Sequence, residues 1–207
     1  ARRLILRFRR SVVYKRTDMS RRQIRLPAAR LKPTAGDERK LLPEHEMAGY
    51  HSTAIAELAH QLKLSPARLR LRQLDAAEYL ADLVEPGKSY PYEFVCAHIT
   101  GYRPRSGVPH KTISGRALIE DLAILVEELS GVMPLSTGQL PCASYTAEEL
   151  SSRLKVSTKT ICRWRRRGLV GRKLRFPDNT VRMAFLETCV RRFITRHLEL
   201  VKRGAAF

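Results

Sequence analysis

The 207-residue sequence lacks the marks of several large protein classes. It has no run of eighteen apolar residues, so a membrane-spanning helix is not predicted. Its four cysteines form no C-x-x-C pair, and no grouping of Cys and His has the spacing of a metal finger. We therefore predict four reduced thiols, no bound metal and no cofactor.

Motifs that carry catalysis are missing as well. The sequence has no G-x-x-x-x-G-K-[ST] phosphate loop, no G-x-S-x-G elbow and no H-E-x-x-H pair. The six histidines are scattered, and the paired carboxylates at residues 120–121 and 127–128 fall on the polar side of an amphipathic helix. These absences predict that the protein is not an enzyme and has no small-molecule substrate.

What the sequence does have is positive charge, with a formal net charge of +19. Residues 1–43 carry 14 Lys or Arg against 3 Asp or Glu, and residues 145–207 carry 16 against 5. Residues 44–144 carry 9 against 12 and are mildly acidic. A strongly basic chain favours an acidic partner, most often nucleic acid. Two basic ends therefore flank a mildly acidic middle region, and the ends and the middle need not share a role.

The N-terminal segment, residues 1–43, is predicted to be a disordered basic arm. Its apolar patch is too short for a secretory signal. It is rich in arginine and poor in acids, as mitochondrial transit peptides are, but we favour upstream sequence ahead of a start at Met19 or Met47. If the arm functions, its arginines would hold phosphate groups.

The middle of the chain predicts a small α-helical domain over residues 48–131. Apolar residues recur there at the helical spacing of three and four, and Pro86-Gly87 separates successive helices. Residues 132–144 carry Pro134, Gly138 and Pro141, which is the composition of a linker. The fold class is therefore expected to be mainly α.

The C-terminal part, residues 145–207, predicts a helix-turn-helix. Thr146 and Glu149 form a capping box at the start of the first helix, and residues 155–157 are a short turn. The second helix is expected at about residues 158–167. The spacing of its apolar residues matches two helices packed on one core. The predicted core positions are Leu150, Leu154, Val156, Ile161 and Trp164.

The basic residues of this part divide by position. The stretch 157–176 has eight Lys or Arg and no acidic residue. The N-terminal residues of a recognition helix meet base edges, and cations nearer its C-terminus suit phosphates. The predicted base contacts are Thr158, Lys159, Cys162 and Arg163. The predicted phosphate contacts are Arg165, Arg166, Arg167, Arg172, Lys173, Arg175 and Arg182.

The last four of these phosphate contacts belong to a predicted β-hairpin. Leu174 and Phe176 alternate with cations, and so do Val181 and Met183, so we expect one apolar and one basic face. Residues 177–180, "PDNT", provide the turn. A basic hairpin after a recognition helix is a wing, and a final helix is expected from about Leu186.

The segment "TAEELSSRLKVSTKTICRWRRRGLVGRKLRF", with "VRMAFLETCVRRFI" after it, resembles the MerR/excisionase-like winged helix. More narrowly, "YPYEFVCAHITGYRPR", "STKTICRWRRRGLVGR" and "RRFITRHLELVKRGAAF" together resemble the N-terminal extension of some sigma-70-family RNA polymerase sigma factors. This second resemblance covers residues from roughly 50 to 207. It implies that the polymerase-binding regions would follow Phe207, where the chain is expected to continue.

The resemblance implies a DNA-binding module of a transcription initiation factor. Its partners would be double-stranded DNA and, through regions beyond Phe207, the RNA polymerase core. It would act in the bacterial cytoplasm, at the nucleoid, without a membrane. Two alternatives stay open: a DNA-architecture or regulator protein of the excisionase/MerR kind, and a non-specific nucleic-acid binder, for RNA among others.

Overall fold

A computed structural model of the chain describes residues 49–102 and 112–204. The basic arm at residues 1–43, the two candidate starts Met19 and Met47, and Phe207 lie outside the described residues. So does the loop at residues 103–111. The described residues belong to one compact unit.

The first half of the described chain contains four α-helices and a short hairpin. The helices are α1 (Thr53–Lys63), α2 (Ala67–Leu83), α3 (Tyr92–Thr100) and α4 (Gly115–Val132). Strands β1 (Ser89–Pro91) and β2 (Thr112–Ser114) pair antiparallel and bring the starts of α3 and α4 together. The apolar stripes of all four helices meet in one core, centred on fully buried side chains such as Leu80, Leu118 and Leu122.

Local signals set most of these boundaries. Ser114 caps α4 by accepting a hydrogen bond from the N–H of Ala117, and Gly101 ends α3 in the left-handed conformation. Helix α4 ends at Val132, one residue past Gly131, and Pro66 occupies the N-cap position of α2.

The second half of the chain combines helices with a small sheet. Its helices are α5 (Ala147–Leu154), α6 (Thr158–Arg165), α7 (Glu187–Arg196) and α8 (Leu198–Gly204). Its strands are β3 (Leu135–Ser136), β4 (Ser144–Thr146), β5 (Arg172–Arg175) and β6 (Val181–Leu186). The fold of the described residues is thus mainly helical with small sheets, which confirms the predicted class at this level.

The predicted linker is not a free connection. Its residues Leu135 and Ser136 form β3, which pairs in parallel with β5. A 3-10 turn at Thr137–Gln139 follows, so the strand order of the second sheet is β3-β5-β6-β4. Strand β5 also packs against α4 of the first half. The segment that contains β3 therefore lies where the two halves of the fold meet.

The two faces of the β5–β6 hairpin are mixed, and the prediction of one apolar and one basic face is wrong. The register sets Leu174 opposite Arg182 and Lys173 opposite Met183, so each face carries both kinds of residue. The reason is that both faces are covered. Phe185 packs with α5 and α6 on one side, and Leu174 packs with the segment from 135 to 142 on the other.

Candidate nucleic-acid interface

The helix α5, the turn at residues 155–157 and the helix α6 are held together by local hydrogen bonds. The N–H of Thr146 donates to Glu149 Oε2 at 2.8 Å, and the N–H of Glu149 donates to Thr146 Oγ1 at 3.2 Å, which is the predicted capping box. Ser157 Oγ accepts from the N–H of Thr160 at 3.1 Å and caps α6. Both helix starts are therefore fixed by side chains that the sequence places there.

The turn itself is held by hydrogen bonds and a left-handed residue. Lys155 lies in the left-handed conformation with φ of 55°, which ends α5 abruptly. The hydroxyl of Ser151 donates to the carbonyl of Val156 at 2.7 Å, and the N–H of Val156 donates to the carbonyl of Ser151 at 3.1 Å. These bonds direct the Val156 side chain into the core.

The inner face of α6 anchors the helix. Ile161 and Trp164 are buried, and the Trp164 ring lies 5.5 Å from the ring of Phe193 on α7, measured between centroids. The five predicted core positions, from Leu150 to Trp164, are all buried in one cluster. Because its inner side chains are fixed, α6 presents its opposite face in one orientation.

The outer face of α6 carries unpaired cations. Lys159 and Arg163 are four residues apart and Arg166 follows after three more, so the helical period aligns them. All three are exposed, and none of them makes a side-chain hydrogen bond or ion pair within residues 49–102 and 112–204. Thr158 and Cys162 are exposed on the same helix. This set, with Arg167, is called the α6 outer face below.

Arg165 and Lys173 are turned toward the helical half instead. Arg165 donates to Glu127 Oε2 on α4 at 2.5 Å, and Lys173 Nζ lies 3.7 Å from Glu127 Oε1. Both cations are only partly exposed. Glu127 therefore shares its single negative charge between two cations that the sequence assigned to phosphate contact.

Arg172 is the clear correction. Its side chain is 4% exposed and forms hydrogen bonds to Glu78 Oε1 and Oε2 and to Asp75 Oδ1, at 2.9, 2.6 and 2.8 Å. Burial alone would lower the pKa of Arg172, but the bonds to Glu78 and then Asp75 outweigh it and raise the pKa. The guanidinium is buried and paired with two carboxylates inside the protein, so Arg172 does not contact phosphate.

The hairpin tip keeps two exposed cations. Arg182 donates to Asp178 Oδ2 at 2.6 Å and lies over the ring of Phe176, 4.3 Å from its centroid. Arg175 donates to Asn179 Oδ1 at 3.1 Å. The exposed salt bridge of Arg182 is weak, and the bond of Arg175 is to a neutral amide, so both contacts exchange readily for an external anion. Both arginines therefore stay available to an external phosphate.

Two features of this surface were missed in the sequence. Lys155 is exposed and makes no side-chain bond within the described segments, and the end of α5 just before a turn was the signal that could have found it. The carboxylates of Glu78 and Glu127, which withdraw three cations from the surface, lie far away in sequence and gave no signal.

Other kinds of site are not evident across residues 49–102 and 112–204. No three His, Cys, Asp or Glu side chains lie close enough there to hold a metal ion. Within the same residues, no helix combines the length and apolarity that crossing a membrane requires. Comparison of the chain with protein-family models, curated proteins and solved structures finds no match.

Proposed function

We propose that the protein binds duplex DNA and reads its sequence through a winged helix-turn-helix, with α6 as the recognition helix. The observation that carries this proposal is the contrast between the two faces of α6. Ile161 and Trp164 fix the inner face in the core, while Lys159, Arg163 and Arg166 project from the outer face without internal partners.

The chemistry of the α6 outer face fits the major groove, which admits an α-helix. Thr158, Lys159 and Arg163 occupy the first two turns, where a recognition helix meets base edges. An arginine there can donate two hydrogen bonds to O6 and N7 of guanine. Arg166 and Arg167 lie at the C-terminal end of α6 and suit the phosphates beside the groove.

The β5–β6 hairpin would act as the wing. Its exposed arginines, Arg175 and Arg182, lie at the tip near the turn. They would contact a phosphate or the minor groove, and the residues behind them fix the hairpin to the body of the protein. Because Arg172 holds Glu78 and Asp75, the base of this wing is anchored to α2.

The pattern of pairing supports binding over a merely solvated basic surface. Cations that face the helical half have carboxylate partners there: Arg165 with Glu127, Arg172 with Glu78, and Arg192 with Asp82. The α6 outer face has no such carboxylates among the described residues. An external polyanion would supply the missing charge.

We propose further that this module serves a transcription initiation factor of the sigma-70 family, acting in the bacterial cytoplasm with RNA polymerase. The motif resemblance at residues 50–207 supports this role. Affinity purification of the tagged natural gene product from its own cells, with and without nuclease, tests it. Co-purification of polymerase subunits after nuclease treatment is expected, and their absence under both conditions would contradict it.

The test of DNA reading is selection from a random duplex pool, followed by titration of the selected site and a scrambled site. Arg163→Gln should weaken binding to the selected site by about 1–3 kcal/mol and affect the scrambled site much less. Arg68→Gln is the matched control, because Arg68 is an exposed, unpaired cation on α2.

The outcomes separate the proposal from its alternatives. A selection that yields no preferred sequence, with equal loss on both duplexes, would mean that binding is non-specific. Tighter binding to single-stranded RNA than to duplex DNA would point to an RNA binder. A selected site that is sharply bent when bound, with no polymerase in the purification above, would favour an architectural protein of the excisionase kind.

A further inference from the structure

The short helix α8 packs directly on the turn before α6. A Cβ atom at Gly204 would lie 3.1 Å from Trp164 Cζ2, 3.4 Å from Val156 Cγ1 and 3.6 Å from Thr160 Cγ2. Leu200 and Val201 of α8 pack on the same core. The last turn of α8 therefore rests against the N-terminal part of the recognition helix, and the absence of a side chain at Gly204 permits the close approach.

This packing brings two cations from distant parts of the sequence to the same place. Lys155 comes one residue before Val156, and Arg203 comes one residue before Gly204, so each is adjacent to the Val156–Gly204 contact. Because consecutive Cα atoms are about 3.8 Å apart, the Cα atoms of both residues lie close to this contact. Both are exposed.

The charges around this point leave the two cations available. Lys155 has no side-chain partner among the described residues, and Arg203 donates only to the backbone carbonyl of Glu199, at 3.3 Å. The nearest carboxylate along α8, that of Glu199, bonds to Lys202 at 2.7 Å. Lys202 and Glu199 thus form a neutral pair.

We infer that Lys155 and Arg203 form a second phosphate-binding patch, at the N-terminal end of α6, for the DNA backbone. The inference rests on the proposed function and deepens it. In helix-turn-helix proteins the recognition helix enters the groove near its N-terminus, and the element before it crosses the backbone. The patch lies at the N-terminal end of α6, whereas Arg166 and Arg167 lie at its C-terminal end. The protein would therefore hold phosphates on both sides of the base-reading residues.

The test uses the full chain with Lys155→Gln and Arg203→Gln combined. Glutamine keeps a Cβ at Lys155, so the left-handed backbone there is no more strained than before. Each phosphate contact contributes about 0.9 to the slope of log K against log salt, so the double variant should lower the slope by about 2. Its affinity for the selected and scrambled duplexes should fall by the same factor.

The control is Arg68→Gln with Arg72→Gln, two exposed and unpaired cations on α2. It removes the same net charge away from the turn, so its slope should equal that of the unmodified protein. An unchanged slope in the Lys155/Arg203 variant would overturn the inference, and so would an equal change in the α2 control.

Failure of the inference can be told from failure of the proposed function. If Arg163→Gln abolishes site preference while the Lys155/Arg203 variant keeps the full salt slope, only the second patch is wrong. If the double variant lowers the slope and Arg163→Gln weakens both duplexes equally, the patch stands and base reading by α6 is wrong. If duplex DNA is not bound at all, both proposals fail.

Discussion

The guanidinium of Arg172 on β5 and the carboxylate of Glu78 on α2 form a buried, two-bonded ion pair between residues that are 94 positions apart. Glu78 is 8% exposed at its side chain and Arg172 is 4% exposed, so both charges depend on each other for compensation. The pair fixes the base of the hairpin to the helical half of the protein.

Replacement of Arg172 by methionine should therefore lower the free energy of unfolding by about 3–5 kcal/mol, because it leaves the Glu78 carboxylate buried without a partner. Denaturation in urea measures the change. Methionine at both Arg172 and Glu78 should restore much of the loss, since no uncompensated charge remains. Arg175→Gln, at the exposed tip of the same strand, is the control and should change stability little. A double variant no more stable than the single one would contradict this account.

The capping box makes a prediction for α5. Thr146→Val keeps the branched shape but removes the hydroxyl that accepts from Glu149, so it should cost about 1 kcal/mol of stability. Ser152→Ala, on the exposed side of the same helix, should cost much less. Thermal unfolding of both variants is the measurement, and equal shifts would show that the cap is not the cause.

Replacement of Lys155 should change stability and DNA binding in opposite directions. A left-handed residue with a Cβ is strained by about 1–2 kcal/mol, and glycine removes that strain at some entropic cost. Lys155→Gly should therefore raise the free energy of unfolding by up to about 1 kcal/mol while it weakens DNA binding. Denaturation and titration on one preparation give both numbers. A variant that is less stable than the original would show that this backbone is not strained.

The sequence allowed accurate prediction of features that depend on neighbours. The capping box and the buried positions of α5 and α6 all follow from residues within one or two helical turns. The outward positions of Lys159 and Arg163 could be predicted as well, because they follow from where Ile161 and Trp164 point. The internal pairing of Arg165, Arg172 and Lys173 could not be predicted.

The features that could not be predicted depend on partners far away in the chain. Leu135 and Ser136 look like linker residues until β5 is placed beside them. Arg172 looks like any other cation of the basic stretch, because Glu78 belongs to another helix. The contact of Gly204 with Trp164 likewise depends on the path of α7 and α8. The alternation of apolar and charged residues predicted the strands β5 and β6. It could not predict their register, which places both kinds of residue on each face.

His197 gives a pH prediction. Burial, and then the cations of Arg196 and Arg167, lower the pKa of His197, while Asp82 opposes the shift. Its ring packs on Phe193, with 4.6 Å between the centroids. In the unfolded chain a histidine has a pKa near 6.5, so the folded protein binds fewer protons than the unfolded chain just below that pH.

The contribution of His197 is therefore fully present above about pH 6.5 and declines as the pH falls below it. Melting temperatures measured from pH 7.5 to 5.5 should fall more steeply for the original protein than for His197→Gln. The difference between the two curves isolates this residue from the carboxylates, which titrate in both. Parallel curves would contradict the prediction.

The pairing of β3 with β5 has a consequence for how the C-terminal part could be used elsewhere. A fragment that starts at Ser144 would carry α5, α6 and the hairpin, but it would lose a strand of its sheet and leave Arg172 without Glu78 and Asp75. Fused to another protein, such a fragment would lack the strand and the ion pairs that hold its hairpin in this chain. The helix-turn-helix with its hairpin is thus not an interchangeable module, and the acidic middle of the chain is the other half of its architecture.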